Sequence, residues 1–354
     1  MQANKYFGLH NTGIYFIDDE DSVYFCGRIL RKRTSPVKIE PTLPPIARVL
    51  HCGRSSDPSL LDWDGAFWLN KKRVDHPGTF ESGCQGYRYS VLLDTEGNVW
   101  TQGINHFGSL GTADFNQRDS LTKINISNIV SFAAANHTLF LGRCGTVWGC
   151  GANANNQLGL GHQISISVPT VITGLPPIKE LSCGLDHSLF LAESGEVWLC
   201  GRLTRYSETN AVDVLEPVER PIKLQGIPPI INVCSGQHQG MLIDERQRVW
   251  AMGQNPYGQL GLGDYLYRNV PELITGLPPI HTIQGAEVFM VFMDVNSELW
   301  ACGDLEAFGC NKNALLSLFS NAFRPTPVKI NIRVKTIREI PKKSARFTNE
   351  PVKN

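Results

Sequence analysis

The chain has 354 residues, and its 33 Lys and Arg residues equal its 33 Asp and Glu residues, so the formal net charge is zero. Zero net charge argues against a nonspecific nucleic-acid surface, which requires an excess of basic side chains. The N-terminus lacks the apolar run of a signal peptide and no segment approaches the length of a membrane span, so we expect a cytoplasmic or nuclear protein that is not secreted and has no membrane contact.

The first predicted elements are two inner strands at residues 14–17 and 23–26, and the second of them carries the first member of a repeated aromatic position. The steps between successive members are 44, 32, 48, 50, 52 and 50 residues. A recurrence of this length is typical of a repeat architecture. The members are Tyr24, Trp68, Trp100, Trp148, Trp198, Trp250 and Trp300. We expect Trp198, the anchor of a well-formed unit, to be largely buried between neighbouring blades.

Each unit contains four predicted strands. Residues 178–201 hold three short strands separated by turn residues, and a fourth strand follows the next loop, as at 169–173 and 271–275. Four antiparallel strands in each of seven units predict an all-β fold, a seven-bladed β-propeller of four-stranded antiparallel blades. We expect the ring to be closed by the N- and C-terminal strands, with residues 333–337 beside residues 14–17. The prediction is a single domain over residues 1–340 and a short polar tail over 341–354.

A glycine-rich loop after the third strand, residues 151–161, raises the alternative of a nucleotide site. A phosphate-binding loop requires Gly-Lys followed by Ser or Thr, which the chain lacks, and a dinucleotide loop must open a helix, whereas residues 162–169 are β-branched and contain proline. Similar loops recur at 103–111 and 253–264, so we interpret the loop as part of the repeat. No C-x-x-C pair occurs. We therefore expect no cofactor, no metal site and no small-molecule substrate.

Three motifs identify a family resemblance. Residues 183–191 read Cys-Gly-Leu-Asp-His-Ser-Leu-Phe-Leu, residues 195–201 read Gly-Glu-Val-Trp-Leu-Cys-Gly, and residues 253–263 contain Asn-x-x-Gly-Gln-Leu-Gly-x-Gly. This pattern resembles the repeat of the regulator of chromosome condensation family, over roughly residues 8–340. The first, second and seventh units depart from it in the glycine loop. The resemblance supports the propeller fold, but a fold does not by itself fix a function.

The resemblance implies a guanine-nucleotide exchange factor for a Ran-like small GTPase, acting by binding the nucleotide-free state and without covalent chemistry. It places the partner on the loops before the second strand of each unit, at Arg88, Asn136, His137, Asp186, His187, Gln237 and His238. The fifth unit lacks the glycine loop, and its insertion resembles the exchange wedge of active members. The candidate wedge residues, expected to be exposed, are Arg202, Thr204, Arg205, Tyr206, Glu208 and Asn210.

Two alternatives stay open. The recurring histidines 137, 187 and 238 favour a structural bond between adjacent blades over catalysis, and we find no catalytic residues. The other class of function is a non-catalytic protein–protein interaction scaffold. Chromatin binding, which in the family depends on a basic N-terminal tail, is disfavoured because the first unit begins almost at Met1.

Overall fold

The computed structural model describes residues 7–10, 13–17, 21–29, 32–33, 37–39, 43–50, 59–69, 71–76, 78–203, 216–305 and 323–330. In these residues the chain forms β-strands joined by turns and loops. Six four-stranded antiparallel sheets follow one N-terminal sheet, which has five strands. We call the six sheets blades 1 to 6 in chain order. The described part of the chain is thus an all-β propeller.

The N-terminal sheet contains β1 (Phe7–His10), β2 (Gly13–Ile17), β3 (Val23–Ile29), β4 (Lys32–Arg33) and β5 (Val37–Lys38). Strand β2 lies between β1 and β3, while β4 and β5 both pair with β3. The two short strands occupy the place where a regular unit has one long outer strand.

The six blades share the strand order 1-2-3-4, from the inner strand outwards. Blade 1 has β6 (Ile46–Val49), β7 (Ser59–Asp62), β8 (Phe67–Leu69) and β9 (Lys72–Arg73). Blade 2 has β10 (Phe80–Gly86), β11 (Tyr89–Asp94), β12 (Val99–Gly103) and β13 (Arg118–Lys123), and blade 3 has β14 (Ile129–Ala134), β15 (His137–Gly142), β16 (Val147–Gly151) and β17 (Ile166–Val171).

The remaining blades are equally regular. Blade 4, the fifth unit of the sequence, has β18 (Ile178–Cys183), β19 (His187–Ala192), β20 (Val197–Gly201) and β21 (Val218–Lys223). Blade 5 has β22 (Ile230–Ser235), β23 (Gln239–Asp244), β24 (Val249–Gly253) and β25 (Arg268–Leu273), and blade 6 has β26 (Ile280–Gly285), β27 (Phe289–Asp294), β28 (Leu299–Asp304) and β29 (Phe323–Ile330).

The core lies between successive blades and is centred on the second strand of each. All six residues of β19 are buried, whereas the outer strand β21 is partly or fully exposed. A strand that is covered on both faces reads as a continuous apolar run, which is what the Ser-Leu-Phe-Leu segment of β19 provides. Phe190 is fully buried and contacts Leu139 and Leu158 of blade 3. Packing between blades therefore supplies the hydrophobic core.

The predicted blade count and ring closure are wrong. The described strands form six four-stranded blades, not seven, and strand β29 pairs with β28 inside blade 6. The edge of β2 at which the C-terminal strand is expected is occupied by β1 from the same sheet. No strand exchange closes a ring among the described residues; residues 333–337 and the predicted tail 341–354 lie outside them. Side chains of the N-terminal sheet pack against blades 1 and 6.

Each aromatic anchor packs against a core cluster formed between neighbouring sheets, so the expected place of Trp198 between blades is confirmed, although part of its side chain stays exposed. Trp198 is only partly buried, and the fully buried residue is its cross-strand neighbour Phe190. The tryptophans lie on third strands, and in blades 1, 2, 5 and 6 the indole N–H donates to an aspartate at the end of the second strand; the second strands of blades 3 and 4 end in Gly142 and Ala192 instead. The Trp Nε1 to Asp Oδ2 distances are 2.8 Å for Trp68–Asp62, 2.7 Å for Trp100–Asp94, 3.1 Å for Trp250–Asp244 and 3.3 Å for Trp300–Asp294.

Substitution of Phe190 by alanine tests the core. Because the ring is fully buried between blades 3 and 4, we expect Phe190→Ala to lower the free energy of unfolding by about 3–5 kcal/mol, seen as a lower urea midpoint. The control is Ile164→Ala, since Ile164 is 71% exposed and its loss should change stability by less than about 0.5 kcal/mol. Equal midpoints for the two variants would contradict this account of the core.

Candidate functional site

The glycine loops are ordered by a buried asparagine. Asn153 Oδ1 accepts a hydrogen bond from the Leu158 N–H at 2.9 Å, and Asn153 Nδ2 donates to the His162 carbonyl at 2.6 Å. Asn105 and Asn255 make the equivalent bonds in blades 2 and 5. These side chains therefore close the loop on itself instead of presenting backbone N–H groups to a phosphate.

Each ordered loop also fastens its blade to the next one. The Gln157 carbonyl accepts hydrogen bonds from Ser188 Oγ at 2.6 Å and from Cys200 Sγ at 3.2 Å, both in blade 4. Gly159 has a positive φ of 64°, and a Cβ there would lie 3.0 Å from Cys200 Sγ, so glycine is required for this approach. We call this arrangement the clasp.

The clasp recurs at two other seams. The Ser109 carbonyl accepts from Thr138 Oγ1 at 2.7 Å and from Cys150 Sγ at 3.5 Å, which joins blade 2 to blade 3. The Gln259 carbonyl accepts from Cys302 Sγ at 3.2 Å, which joins blade 5 to blade 6. The cysteines before the repeat glycine in blades 3, 4 and 6 thus act as buried hydrogen-bond donors, and burial raises the pKa of their thiols.

The predicted partner residues lie in or next to the turns between first and second strands. In blades 2 to 6 these turns are residues 87–88, 135–136, 185–186, 237–238 and 287–288, and we call them together the turn face. In each of these blades a backbone N–H at the end of the third strand donates a hydrogen bond to the carbonyl of the second turn residue. The donor is the last residue of that strand or the residue after it. In blade 4 the Arg202 N–H donates to the Asp186 carbonyl at 2.6 Å. Neighbouring turns also bond directly, since the Leu185 N–H donates to the Gln237 carbonyl at 2.9 Å.

His137 and His187 begin second strands and are fully buried. His137 Nε2 lies 2.7 Å from Ser188 Oγ, and His187 Nε2 lies 3.1 Å from Ser235 Oγ, so each imidazole is hydrogen-bonded to the next blade. The prediction of a structural bond between adjacent blades is confirmed for these two residues. Burial lowers the pKa of both imidazoles to about 3, so they are neutral at physiological pH. In blade 5 the same position is Gln239, whose Nε2 donates to the Glu287 carbonyl of blade 6 at 2.8 Å.

Asp186 and His238 occupy the same position in successive turns. Asp186 is 2% exposed, accepts a hydrogen bond from Asn155 Nδ2 at 3.0 Å, and has its Oδ2 atom 4.0 Å from His238 Nδ1. The structure thus brings together one carboxylate, one amide and one imidazole, from the glycine loop of blade 3 and the turns of blades 4 and 5.

The other predicted residues differ in exposure. Arg88 is exposed, whereas Asn136 and Gln237 are partly buried. Arg202 is also only partly buried, so the expectation of an exposed side chain there is wrong; its N–H holds it against the turn of its own blade. The other candidate wedge residues, Thr204, Arg205, Tyr206, Glu208 and Asn210, lie outside the described residues.

Sequence reasoning missed the residues that make the clasp. These residues, Asn153, Gln157 and Ser188, lie in the sequence motifs, but the motifs predict no role for them. Their signal was present, because an asparagine opens the loop at 105, 153 and 255, and a leucine follows five residues later in each copy. A polar residue that recurs beside a buried leucine indicates a side chain that satisfies the loop backbone.

Neither a metal cluster nor a membrane-spanning helix is found in the part of the chain that the structure describes. Those residues contain no group of three His, Cys, Asp or Glu side chains placed to hold a metal ion. They also contain no helix with the length and apolar character needed to cross a membrane.

Comparison with known proteins gives a family and several relatives. The family model described as Regulator of chromosome condensation (RCC1) repeat matches residues 144–191 and 247–288. The chain is 27% identical to human Protein RCC2 over 52% of this chain and 41% of that protein. It is 34% identical to the Protein RCC2 homolog of Danio rerio over 52% of this chain and 44% of that protein. Identity to the X-linked retinitis pigmentosa GTPase regulator of Mus musculus is 30%, over 68% of this chain and 25% of that protein.

The chain spans less than half of the length of these curated relatives. Among solved structures, it is similar to Prp20p from Saccharomyces cerevisiae with a TM-score of 0.70 at 19% identity, covering 81% of each chain. Human WBSCR16 gives a TM-score of 0.62 at 17% identity, covering 95% of this chain and 86% of that one. At these identities the likeness shows the propeller fold alone.

Removal of the loop asparagine tests the clasp. Asn153→Ala leaves the buried Leu158 N–H without its acceptor, so we expect a loss of about 1–3 kcal/mol in the free energy of unfolding. The matched control is Asn125→Ala, because Asn125 is exposed. A loss no larger than that of the control, by urea denaturation, would show that the loop is not held by this side chain.

Acid should destabilise the protein through the buried histidines. The pKa of His187 is about 3 in the folded state and near 6.5 when unfolded, so the unfolded chain binds more protons between these values. The contribution of neutral His187 to the free energy of unfolding is therefore complete above pH 6.5. It decreases as the pH drops towards 3 and is lower by about 2 kcal/mol at pH 5. His187→Gln places the residue found at position 239 there, and we expect it to remove that part of the loss in urea midpoint between pH 7 and pH 5.

The comparison must be made between variant and parent because another group acts in the opposite direction. Burial raises the pKa of Glu180 to about 7, so its contribution to stability increases as the pH falls through that value. Identical changes in midpoint for the His187→Gln variant and the parent would mean that His187 is not the titrating group.

Proposed function

The chain belongs to the family of propellers built from regulator of chromosome condensation repeats, and from this premise we propose that it binds a Ran-like small GTPase through the turn face and accelerates nucleotide release. Two relatives support a GTPase as partner. One is named a GTPase regulator, and Prp20p has been studied for its binding to Gsp1p and histones. The zero net charge of this chain supports the protein partner over a chromatin partner.

One observation carries the proposal: polar residues stand on a rigid backbone at one end of the blades. The turn carbonyls and N–H groups are tied to their own and neighbouring blades, as in the bond from the Tyr87 N–H to the Ala135 carbonyl at 2.7 Å. A surface that is fixed before binding loses little conformational entropy when a partner docks. Arg88, Asn136, Gln237 and His238 are the exposed or partly buried members, and this proposal assigns them to direct contact.

The start of the candidate wedge supports the same face. The Arg202 N–H donates to the Asp186 carbonyl at 2.6 Å, so the chain leaves the third strand of blade 4 beside the turn face. We propose that the candidate wedge, which beyond Arg202 lies outside the described residues, acts on the nucleotide site of the GTPase.

The proposed exchange mechanism is one of differential binding. A protein that binds the nucleotide-free GTPase more tightly than the loaded form must, by thermodynamic linkage, lower the affinity of the GTPase for nucleotide. The propeller side chains form and break no covalent bond in this scheme. Their role is to hold the GTPase in its empty conformation.

A second candidate, a non-catalytic interaction scaffold, is favoured by one feature of the turn face. His137 and His187, two of the seven predicted interface residues, are fully buried and hydrogen-bonded within the protein. Their imidazoles are therefore not available to a GTPase. A scaffold would bind its partner through the same face without changing nucleotide release.

Release of a fluorescent guanine nucleotide from a panel of small GTPases tests the proposal. We expect the parent to accelerate release from a Ran-like GTPase by at least about tenfold, a barrier change of about 1.4 kcal/mol. Replacing residues 204–214 with a Gly-Ser loop should abolish the acceleration and only weaken GTPase binding. Arg143→Glu, at the opposite end of the strands in the exposed turn between β15 and β16, serves as the control and should match the parent.

The outcomes separate the two candidates. A parent that binds a GTPase but leaves release unchanged would establish the scaffold. A Gly-Ser variant that exchanges at the parental rate would remove residues 204–214 from the mechanism.

A further inference from the structure

A cavity of about 220 Å³ lies at the seam between blades 2 and 3, next to the turn face. Tyr87 and Arg88 line it from the turn of blade 2, His106 and Phe107 from the glycine loop of the same blade, and Asn136 from blade 3. The cavity is smaller than the roughly 300–1,000 Å³ of typical small-molecule sites, so its size suits one or two side chains.

Two aromatic rings at this cavity are exposed. Tyr87 is 40% exposed and Phe107 is 49% exposed. In the other glycine loops the residue equivalent to Phe107 is used inside the protein: Asn155 donates to Asp186 Oδ1, and the Tyr257 ring packs edge-on against Phe323 at 5.4 Å. Phe107 has no ring partner among the described residues. Its apolar surface is therefore left for a ligand.

Arg88 differs from its counterparts in conformation. Its φ is +62°, in the left-handed region, whereas no positive φ occurs at Asn136, Asp186, His238 or Val288, the same position in blades 3 to 6. A non-glycine residue held in this region costs of order 1 kcal/mol, and such residues concentrate at binding sites.

The charge at the cavity is cationic. The Arg88 guanidinium is exposed and has no ion-pair or hydrogen-bond partner in the described ranges, and no Asp or Glu lines the cavity. A guanidinium beside aromatic rings is the composition of a protein-binding hot spot, where arginine and aromatic residues supply much of the binding energy. A carboxylate is the group that such a guanidinium binds with paired, charge-assisted hydrogen bonds.

We propose that this cavity docks an acidic segment of a protein partner, in which an aromatic side chain is flanked by carboxylates. The aromatic side chain fills the space between Tyr87 and Phe107, and a neighbouring carboxylate binds the Arg88 guanidinium. The partner binds through a segment of its chain and not through a flat surface, because the cavity accepts a side chain. This site goes beyond nucleotide exchange and does not require the partner to be a GTPase.

The probe is a fluorescein-labelled peptide, Gly-Ser-Glu-Phe-Asp-Gly-Ser, titrated with the full chain and followed by fluorescence anisotropy. Two matched peptides replace both acids with Lys or the Phe with Ala. We expect saturable binding of the first peptide only, weakened by added salt because the contact is partly electrostatic. Arg88→Asn keeps a residue that tolerates the left-handed region and removes the charge, and it should weaken binding about tenfold. Phe107→Ala should weaken binding by a similar factor.

Two control variants test whether peptide binding is specific to the cavity. Tyr265→Ala removes a ring that is 47% exposed outside the cavity, and Arg143→Glu reverses an exposed charge on the opposite end of the strands. Both should bind the peptide as the parent does. Urea midpoints equal to that of the parent establish that the Arg88 and Phe107 variants are folded.

Several results would overturn the proposal. These are equal binding of the acidic and Lys peptides, no saturable binding, or unchanged binding by Arg88→Asn. Reversible dimerisation in sedimentation that Phe107→Ala abolishes would identify a second copy as the occupant, and displacement of the peptide by ADP or GTP would identify a nucleotide. Because the GTPase release assay uses none of these probes, failure of exchange activity and failure of this site are observed separately.

Discussion

The clasp is the interaction on which the regular part of the propeller depends. One carbonyl, that of Gln157 in blade 3, accepts both the Ser188 hydroxyl and the Cys200 thiol of blade 4. Burying a carbonyl without a hydrogen-bond donor destabilises the fold by about 1–3 kcal/mol. The donors of blade 4 and the loop geometry of blade 3 must therefore both be present. This single constraint explains the asparagine that orders the loop, the glycine that permits close approach and the cysteine before each repeat glycine.

The seam between blades 4 and 5 is held in a different way. The glycine loop is absent from the sequence of this unit. Besides the His187–Ser235 and Leu185–Gln237 bonds, two bonds join the inner strands: Asn232 Nδ2 donates to Glu180 Oε1 at 2.7 Å, and the Ser235 N–H donates to Ser182 Oγ at 2.7 Å. Burial raises the pKa of Glu180 to about 7, because desolvation in this seam disfavours the charged carboxylate.

The amino-acid sequence by itself determined the strands of the regular units and the meaning of their glycine loops. A run such as Ser-Leu-Phe-Leu between turn residues predicts a buried strand, because burial on both faces removes the polar alternation of a half-exposed one. The glycine loop recurs at 103, 151 and 253, and this recurrence distinguishes a structural element of the repeat from a phosphate site. A loop that each blade needs for its geometry is expected in several blades. These signals depend on residues that are close together in the chain, so the sequence alone reveals them.

Only the tertiary structure decided the blade count, the burial of the anchors and the use of the turn face. The edge of β2 is occupied by β1, a choice between two pairing partners that no local pattern distinguishes. Trp198 is partly exposed while Phe190 is buried, because the face that each strand turns towards its neighbour depends on how the blades stack. In the same way His187 is buried and Phe107 is exposed, although the sequence suggested the first for a partner surface and gave the second no role. Exposure follows from contacts between distant segments, and those contacts exist only in the folded chain.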